Sequence, residues 1–278
     1  MKNAVAHLRN GVLLFLGTMF AMQGILYAFF FVLGALMASF IGVVVARLYT
    51  GQSAVRGHSR CDVCGTSLSP YVLMPIFSYI VSGGRSRCCH TRITPTAPLG
   101  ELVLGSLFVL SYVRIGITLE LCAFLIALSL LAALVLYDAA HQILPPSLLA
   151  LFVLASATKA WLSTPVFAEL YPVLFMACGF AIFFAVLHGL SKGRAMGLAD
   201  SPLVFGLALL GGSSALAGFL FSFWIGAGVG ILLLAGTPRG SRMGIEVPFA
   251  PFLAAGFLLA YFTQWNPLVL IARIFSLG

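Results

Sequence analysis

Charge is what this sequence has least of. Asp, Glu, Lys and Arg together make up 8% of its 278 residues, where a soluble domain carries about a quarter. That scarcity excludes a solvated globular chain and a disordered one, since both depend on charge to stay in water. Acidic side chains are the rarest, seven in all: Asp62, Glu101, Glu120, Asp138, Glu169, Asp200 and Glu246. Long polar segments are missing too. Tyr49 to Ala97 is the one extended hydrophilic stretch, so there is no room for a large soluble domain.

What fills the space is apolar. Hydrophobic residues reach 61%, with a mean hydropathy of +1.10, which makes the chain a polytopic membrane protein. Its net charge of +8 raises the question of nucleic acid. The basic residues, however, sit in short loops between apolar runs, as the positive-inside rule requires, and no nucleic-acid partner is expected. Gly11 to Val45 is 35 residues of nearly uninterrupted apolar sequence, longer than a secretory leader core and followed by more spans, so no cleaved signal peptide is expected. One helix needs about 20 residues to cross. The stretch is therefore one long tilted helix or two spans turning near Gln23-Gly24. Further spans are expected at 98–113, 119–137, 147–162, 170–190, 202–211, 213–235 and 248–263, about eight in all, giving an all-α fold.

The hydrophilic stretch carries Arg56, Arg60, Arg85, Arg87 and Arg92 and no lysine, which puts it in the cytoplasm. Three parts follow: an N-terminal transmembrane segment at 1–48, a cysteine-bearing cytoplasmic loop at 49–97, and a transmembrane domain at 98–278. Counting spans from that loop puts Asp138 to Pro146, Ser191 to Ser201 and Ala235 to Val247 inside, together with Lys192, Arg194, Arg239 and Arg242. Glu120 and Glu169 fall at the outer interface and Glu246 in a basic loop, where solvated faces are expected.

Asp138 and Asp200 stand apart from these. A carboxylate at membrane depth costs roughly 2.5 to 3.5 kcal/mol on insertion scales and is by default a functional-site hypothesis. Asp138 ends an inward-running apolar helix and Asp200 begins an outward-running one, so the two lie at one depth at the cytoplasmic boundary. Two carboxyl groups held close cannot both ionise easily. One proton is then shared, which lets one carboxylate activate water while the other protonates a leaving group. The alternative is that each merely caps a helix, and Asp200 just before Pro202 has the look of an N-cap. Met196-Gly-Leu-Ala-Asp200 adds small residues where close backbone approach is tolerated.

Of the six cysteines, Cys122 and Cys178 lie alone in apolar spans and read as packing residues. The others share the polar loop, as Cys61-Asp-Val-Cys64 and, after 23 intervening residues, Cys88-Cys89-His90. A Cys-x-x-Cys knuckle followed by a second cysteine pair is a zinc-ribbon pattern, and a tetrahedral site needs four such ligands. Cys61, Cys64, Cys88 and Cys89 are the candidate metal ligands, with His90 or His58 as other choices for the fourth. A reducing compartment favours metal over disulfides. His141, three residues after Asp138, is within sequence reach of the carboxylate but is expected to be solvated.

Taken in order, these residues resemble the type IV prepilin leader peptidases. Ala38-Ser-Phe-Ile-Gly-Val-Val-Val-Ala-Arg47 is similar to the family's first-helix motif. Cys61, Cys64, Pro75, Ser78, Gly84-Arg85, Cys89, Pro98 and Glu101 follow its cytoplasmic zinc loop and exit, with Ser86 where the third zinc cysteine falls. Asp138 with Leu144-Pro145 matches the first catalytic aspartate. Gly197-Leu-Ala-Asp200 resembles the Gly-x-Gly-Asp motif, and Pro248-Phe-Ala-Pro251-Phe the late Pro-Phe-Gly-Pro motif. The resemblance implies an aspartic peptidase of the bacterial inner membrane, with Asp138 and Asp200 catalytic. It would cut the leader from type IV prepilins or pseudopilins at the cytoplasmic face, and in many members methylate the new N-terminus from S-adenosylmethionine. Two other functions compete: a non-catalytic zinc-loop scaffold of a pilus or secretion machine, and a proton-coupled transporter using the carboxylates as a relay. Neither the particular prepilin nor the oligomeric state is legible.

Overall fold

In a computed structural model the described residues are 2–50, 63–66, 77–86, 88–93, 95–164, 166–193, 196–236, 248–267 and 269. They form helices α1 (Lys2–Arg47), α2 (Phe77–Val81), α3 (Thr96–Ile115), α4 (Leu119–His141), α5 (Pro146–Ser163), α6 (Phe167–Ser191), α7 (Asp200–Gly211), α8 (Ala215–Gly236) and α9 (Ala250–Thr263). Six helical stretches among the described residues are long and apolar enough to cross a membrane. The last of them, Asp200–Leu233, is α7 and α8 joined through a 3-10 turn at Gly212–Ser214. With the shorter α9, eight apolar helices are present, as the sequence led one to expect. The long N-terminal run is one helix, with its membrane-length part at Ala21–Arg47.

The chain divides into two compact units. One comprises Met1–Val43 and Tyr49–Val113, the other Val44–Leu48 and Arg114–Gly278. In the first, α1 and α3 touch backbone to backbone: a Cβ on Gly34 would lie 2.8 Å from the Cα of Gly105. Lipid gives helices no hydrophobic reason to associate, so this close approach of small residues supplies the packing that does. Phe30 stacks on Tyr112 beside it, with ring centroids 4.7 Å apart.

In the second unit α7 is the central helix, in contact with α5, α6, α8 and α9. Leu203, Val204 and every residue from Gly206 to Gly211 are buried. The neighbours run up and down around it. Phe152 of α5 lies against Gly206, Ser201 bonds Ala181 of α6, and Phe257 of α9 meets Gly211. Gly212, at φ 55°, reverses the chain, a conformation that costs glycine nothing. Hence α8 returns antiparallel to α9, with Ser214 opposite Gln264 and Ser222 opposite Leu253. Alternation brings the end of α4 and the starts of α5, α7 and α9 to the same end of this unit.

Candidate functional site

Asp138 sits in the last turn of α4 and is buried, 7% exposed. The helix ends there because Gln142 adopts the left-handed conformation (φ 54°), and its N–H bonds the Asp138 carbonyl at 2.7 Å. The side chain points to α9, where Oδ2 accepts the N–H of Ala250 at 3.2 Å. Ala250 is the first residue of α9 and Pro251 follows it, so this amide has no helical acceptor of its own. The positive end of a helix is thereby aimed at a carboxylate. Sequence reasoning missed this partner; the available signal was Pro248-Phe-Ala-Pro251, a proline placed to open a helix.

Asp200 is the first residue of α7, with Ala199 as its N-cap. Its carboxylate does not cap the first turn. Oδ2 turns back to accept the Gly197 N–H at 3.1 Å, closing the Gly197-Leu-Ala-Asp200 turn on itself. The turn is braced from α6 by His188, whose Nδ1 lies 2.9 Å from the Met196 carbonyl. Next to it, the Ser201 hydroxyl donates to the Ala181 carbonyl at 2.7 Å. Both aspartates thus reach the same end of one helical unit, and the Asp138 charge is within electrostatic reach of Asp200. Each has one oxygen tied to a backbone N–H; among the described residues Oδ1 of neither has a protein donor. His141 is exposed, with its ring against Tyr137 at 4.5 Å.

The second polar site lies in the other unit. Gly84–Ser86 and Thr91–Ile93 pair tightly, with Arg85 and Arg92 bridged, Ser86 N–H bonded to the Thr91 carbonyl at 2.8 Å and Ile93 N–H to the Gly84 carbonyl. His90, at φ 53°, makes the corner. The turn brings Cys88 and Cys89 to Cys64, and the three Sγ atoms lie within 4.8 Å of one another. Cys64 to Cys88 is 3.1 Å and Cys88 to Cys89 is 3.9 Å. Thiolates around a tetrahedral zinc stand about 3.8 Å apart, as bonds of about 2.3 Å require; the donor type fits that ion and Cys88 to Cys89 has that spacing, while Cys64 stands closer to Cys88 than bound thiolates would. Adjacent cysteines both reach the cluster from within the turn that the His90 N–H closes on the Ser86 carbonyl at 2.8 Å. His90 is outside the thiol group, and Cys61 and His58 lie outside the described residues.

A third cluster was not legible. Lys159 of α5, 5% exposed, pairs with Glu120 of α4 at 3.5 Å. Ser163 donates to the same carboxylate oxygen at 2.7 Å. Lys159 Nζ lies 5.1 Å from the Tyr261 ring centre, and Arg114 covers that ring at 4.9 Å. Glu120, expected on a solvated face, is 26% exposed and pairs with a buried lysine; Glu169 is exposed as expected.

The helices define a class: an all-helical, multi-pass membrane protein, here with two aspartates at one end of a helical unit. Comparison with known proteins is more specific. Residues 32–115 match the Bacterial Peptidase A24 N-terminal domain. A prepilin leader peptidase/N-methyltransferase of Bacillus subtilis is 33% identical over 233 residues, covering 83% of this chain and 92% of that protein. One of Pseudomonas aeruginosa is 31% identical, covering 80% and 85%. One of Myxococcus xanthus is 37% identical over 76% of this chain, which spans 64% of that longer relative. No solved structure matches. The chain belongs to the prepilin leader peptidase/N-methyltransferase family.

Proposed function

We propose that the chain is a membrane aspartic endopeptidase that removes the leader of type IV prepilins or pseudopilins, with Asp138 and Asp200 as its catalytic pair. The observation that carries this is the gathering of these two carboxylates, 62 residues apart in sequence, at one end of the helical unit and within electrostatic reach of each other. One carboxylate takes the proton of a water held between the pair while the other donates to the leaving amine, and the roles reverse for the next cycle. The Ala250 N–H fixes Asp138 for this work, and the closed turn from Gly197 fixes Asp200.

The arginine-rich segment at 49–97 and the basic residues at Lys192 and Arg194 support a site facing the cytoplasm from the inner membrane. The substrate's basic leader then stays in the cytoplasm while its apolar helix lies in the bilayer. Residues 98–278 form the peptidase domain, 1–48 an N-terminal anchor, and 49–97 a metal-bound loop. Cys64, Cys88 and Cys89, with Cys61 as the fourth ligand, would hold one structural zinc, which would cross-link a segment too short to have a core of its own. The relatives' name adds methyl transfer, for which S-adenosylmethionine supplies the methyl group. No motif for that donor is legible, and no residue is assigned to it.

The test is to express the chain in membranes with a prepilin and sequence the N-terminus of the product. Wild type should release the leader before the apolar segment, and Asp138→Asn and Asp200→Asn should each leave the prepilin intact. Cleavage persisting in either variant refutes the dyad. A wild type that cuts no prepilin, with zinc bound, favours a scaffold.

A further inference from the structure

The helical unit has an open side. Of the 25 residues of α6 only Leu170, Ala177 and Phe184 are buried. Between α6 and α8 lies a groove of about 380 Å³ walled by Phe175, Met176, Gly179, Phe180, Phe183 and Phe219. Phe175 is 83% exposed, and a Cβ on Gly179 would meet nothing within 4 Å. The wall is ordered: Phe180 stacks on Phe219 with centroids 4.5 Å apart and planes 7° apart.

Two features tie this groove to the carboxylates. Ser201, next to Asp200, is bonded to Ala181, so the groove's near end is level with the start of α7. It then runs from residue 183 back to 175, away from the aspartates, for about 12 Å at 1.5 Å per residue. The rings also continue inward. Phe219 meets Phe184 and Phe223, and both meet Phe249 at centroid distances of 6.1 and 5.9 Å. Phe249 adjoins Ala250, whose amide holds Asp138. An unbroken aromatic path therefore links the open groove to the site.

We propose that the groove between α6 and α8 seats the apolar helix of the substrate, immediately past the bond that is cut. This rests on the peptidase function proposed above. A substrate whose leader stays in water must send its apolar part along the bundle, starting at the depth of Asp138 and Asp200, and the groove begins there. Gly179 on the floor lets a helix backbone approach closely, the device by which helices associate in lipid. The flanking rings grip apolar side chains, with Phe249 as the step between groove and carboxylates.

The experiment uses the full chain in nanodiscs and two synthetic peptides. One has a short basic leader followed by an apolar helix of about 20 residues; the other has the same leader and cleavage site followed by a soluble spacer. With Gly179 replaced by benzoylphenylalanine, illumination should attach the first peptide and not the second. The same probe replacing Leu154 of α5, 64% exposed on another helix, should attach neither. Gly179→Trp should raise KM for the first peptide about tenfold, the loss of roughly one apolar side chain's contact, and leave the second peptide's rate unchanged. Lipid adducts alone at position 179, equal peptide adducts at 179 and 154, or an unchanged KM would each overturn the proposal. Cross-linking is repeated in Asp138→Asn. An adduct there with cleavage abolished supports both docking and chemistry. Normal cleavage by that variant sinks the chemistry while the adduct still decides the docking.

Discussion

At the scale of single residues, two of the seven acidic side chains carry the proposed chemistry. Asp138 and Asp200 were legible because a carboxylate at the end of an apolar run is costly wherever it faces lipid. Their hydrogen-bond partners were not, because both are backbone amides, at Ala250 and Gly197, which have no side-chain signature. The Lys159 and Glu120 pair was missed for a different reason. Nothing in sequence says that residues 39 apart on successive helices face each other, and a lone lysine in an apolar helix reads as snorkelling. Lys159→Met leaves the Glu120 carboxylate, 26% exposed, with the Ser163 hydroxyl as its remaining described partner. Thermal unfolding in detergent should report a loss of about 1 to 3 kcal/mol, much of it recovered by adding Glu120→Gln. A single variant as stable as wild type would show that the pair is idle.

At the scale of elements, helix existence followed from apolar length, and the break between α7 and α8 falls between the expected spans 202–211 and 213–235. How closely α8 and α9 pack did not follow. Ser222 donates to both the Gly218 and Leu253 carbonyls, and a Cβ on Gly256 would run into the Ser222 backbone and hydroxyl. Gly256→Ala should cost about 1 to 3 kcal/mol by overpacking. Because α9 presents the Ala250 amide to Asp138, it should lower peptide cleavage as well. Gly228→Ala on α8, where a Cβ meets nothing within 4 Å, should be neutral or slightly stabilising. Equal effects from the two would remove the packing argument. In the cysteine cluster, elemental analysis should find about one zinc per chain, lost in Cys64→Ser with Cys88→Ser. Zinc retained at the wild-type level in that pair would exclude the thiol cluster as its site.

At the scale of the whole molecule, the chain has two compact units, the α1 to α3 unit and the α4 to α9 unit. The cysteine cluster lies in the first unit and the two aspartates in the second, with the α3 span expected in the transmembrane domain grouped instead with the cysteine-bearing unit. Sequence order gave the depth of the two aspartates, since alternating helices must return each second loop to the same side. It could not give their proximity, which depends on α7 standing between α5, α6, α8 and α9 with α4 against α9. Nor could it reveal the ring path from α6 to Phe249, because phenylalanine is common throughout an apolar chain.

The central claim is that Asp138 and Asp200 act as one chemical unit. Its most direct measurement is the single-turnover rate of prepilin-peptide cleavage by wild type, Asp138→Asn, Asp200→Asn and the double variant. Each single change should lower the rate by at least about 10³-fold, and the double should be no slower than the worse single, because residues that act together are lost together. A single variant that keeps a substantial fraction of the wild-type rate, or a double whose loss is the product of the two, would contradict it.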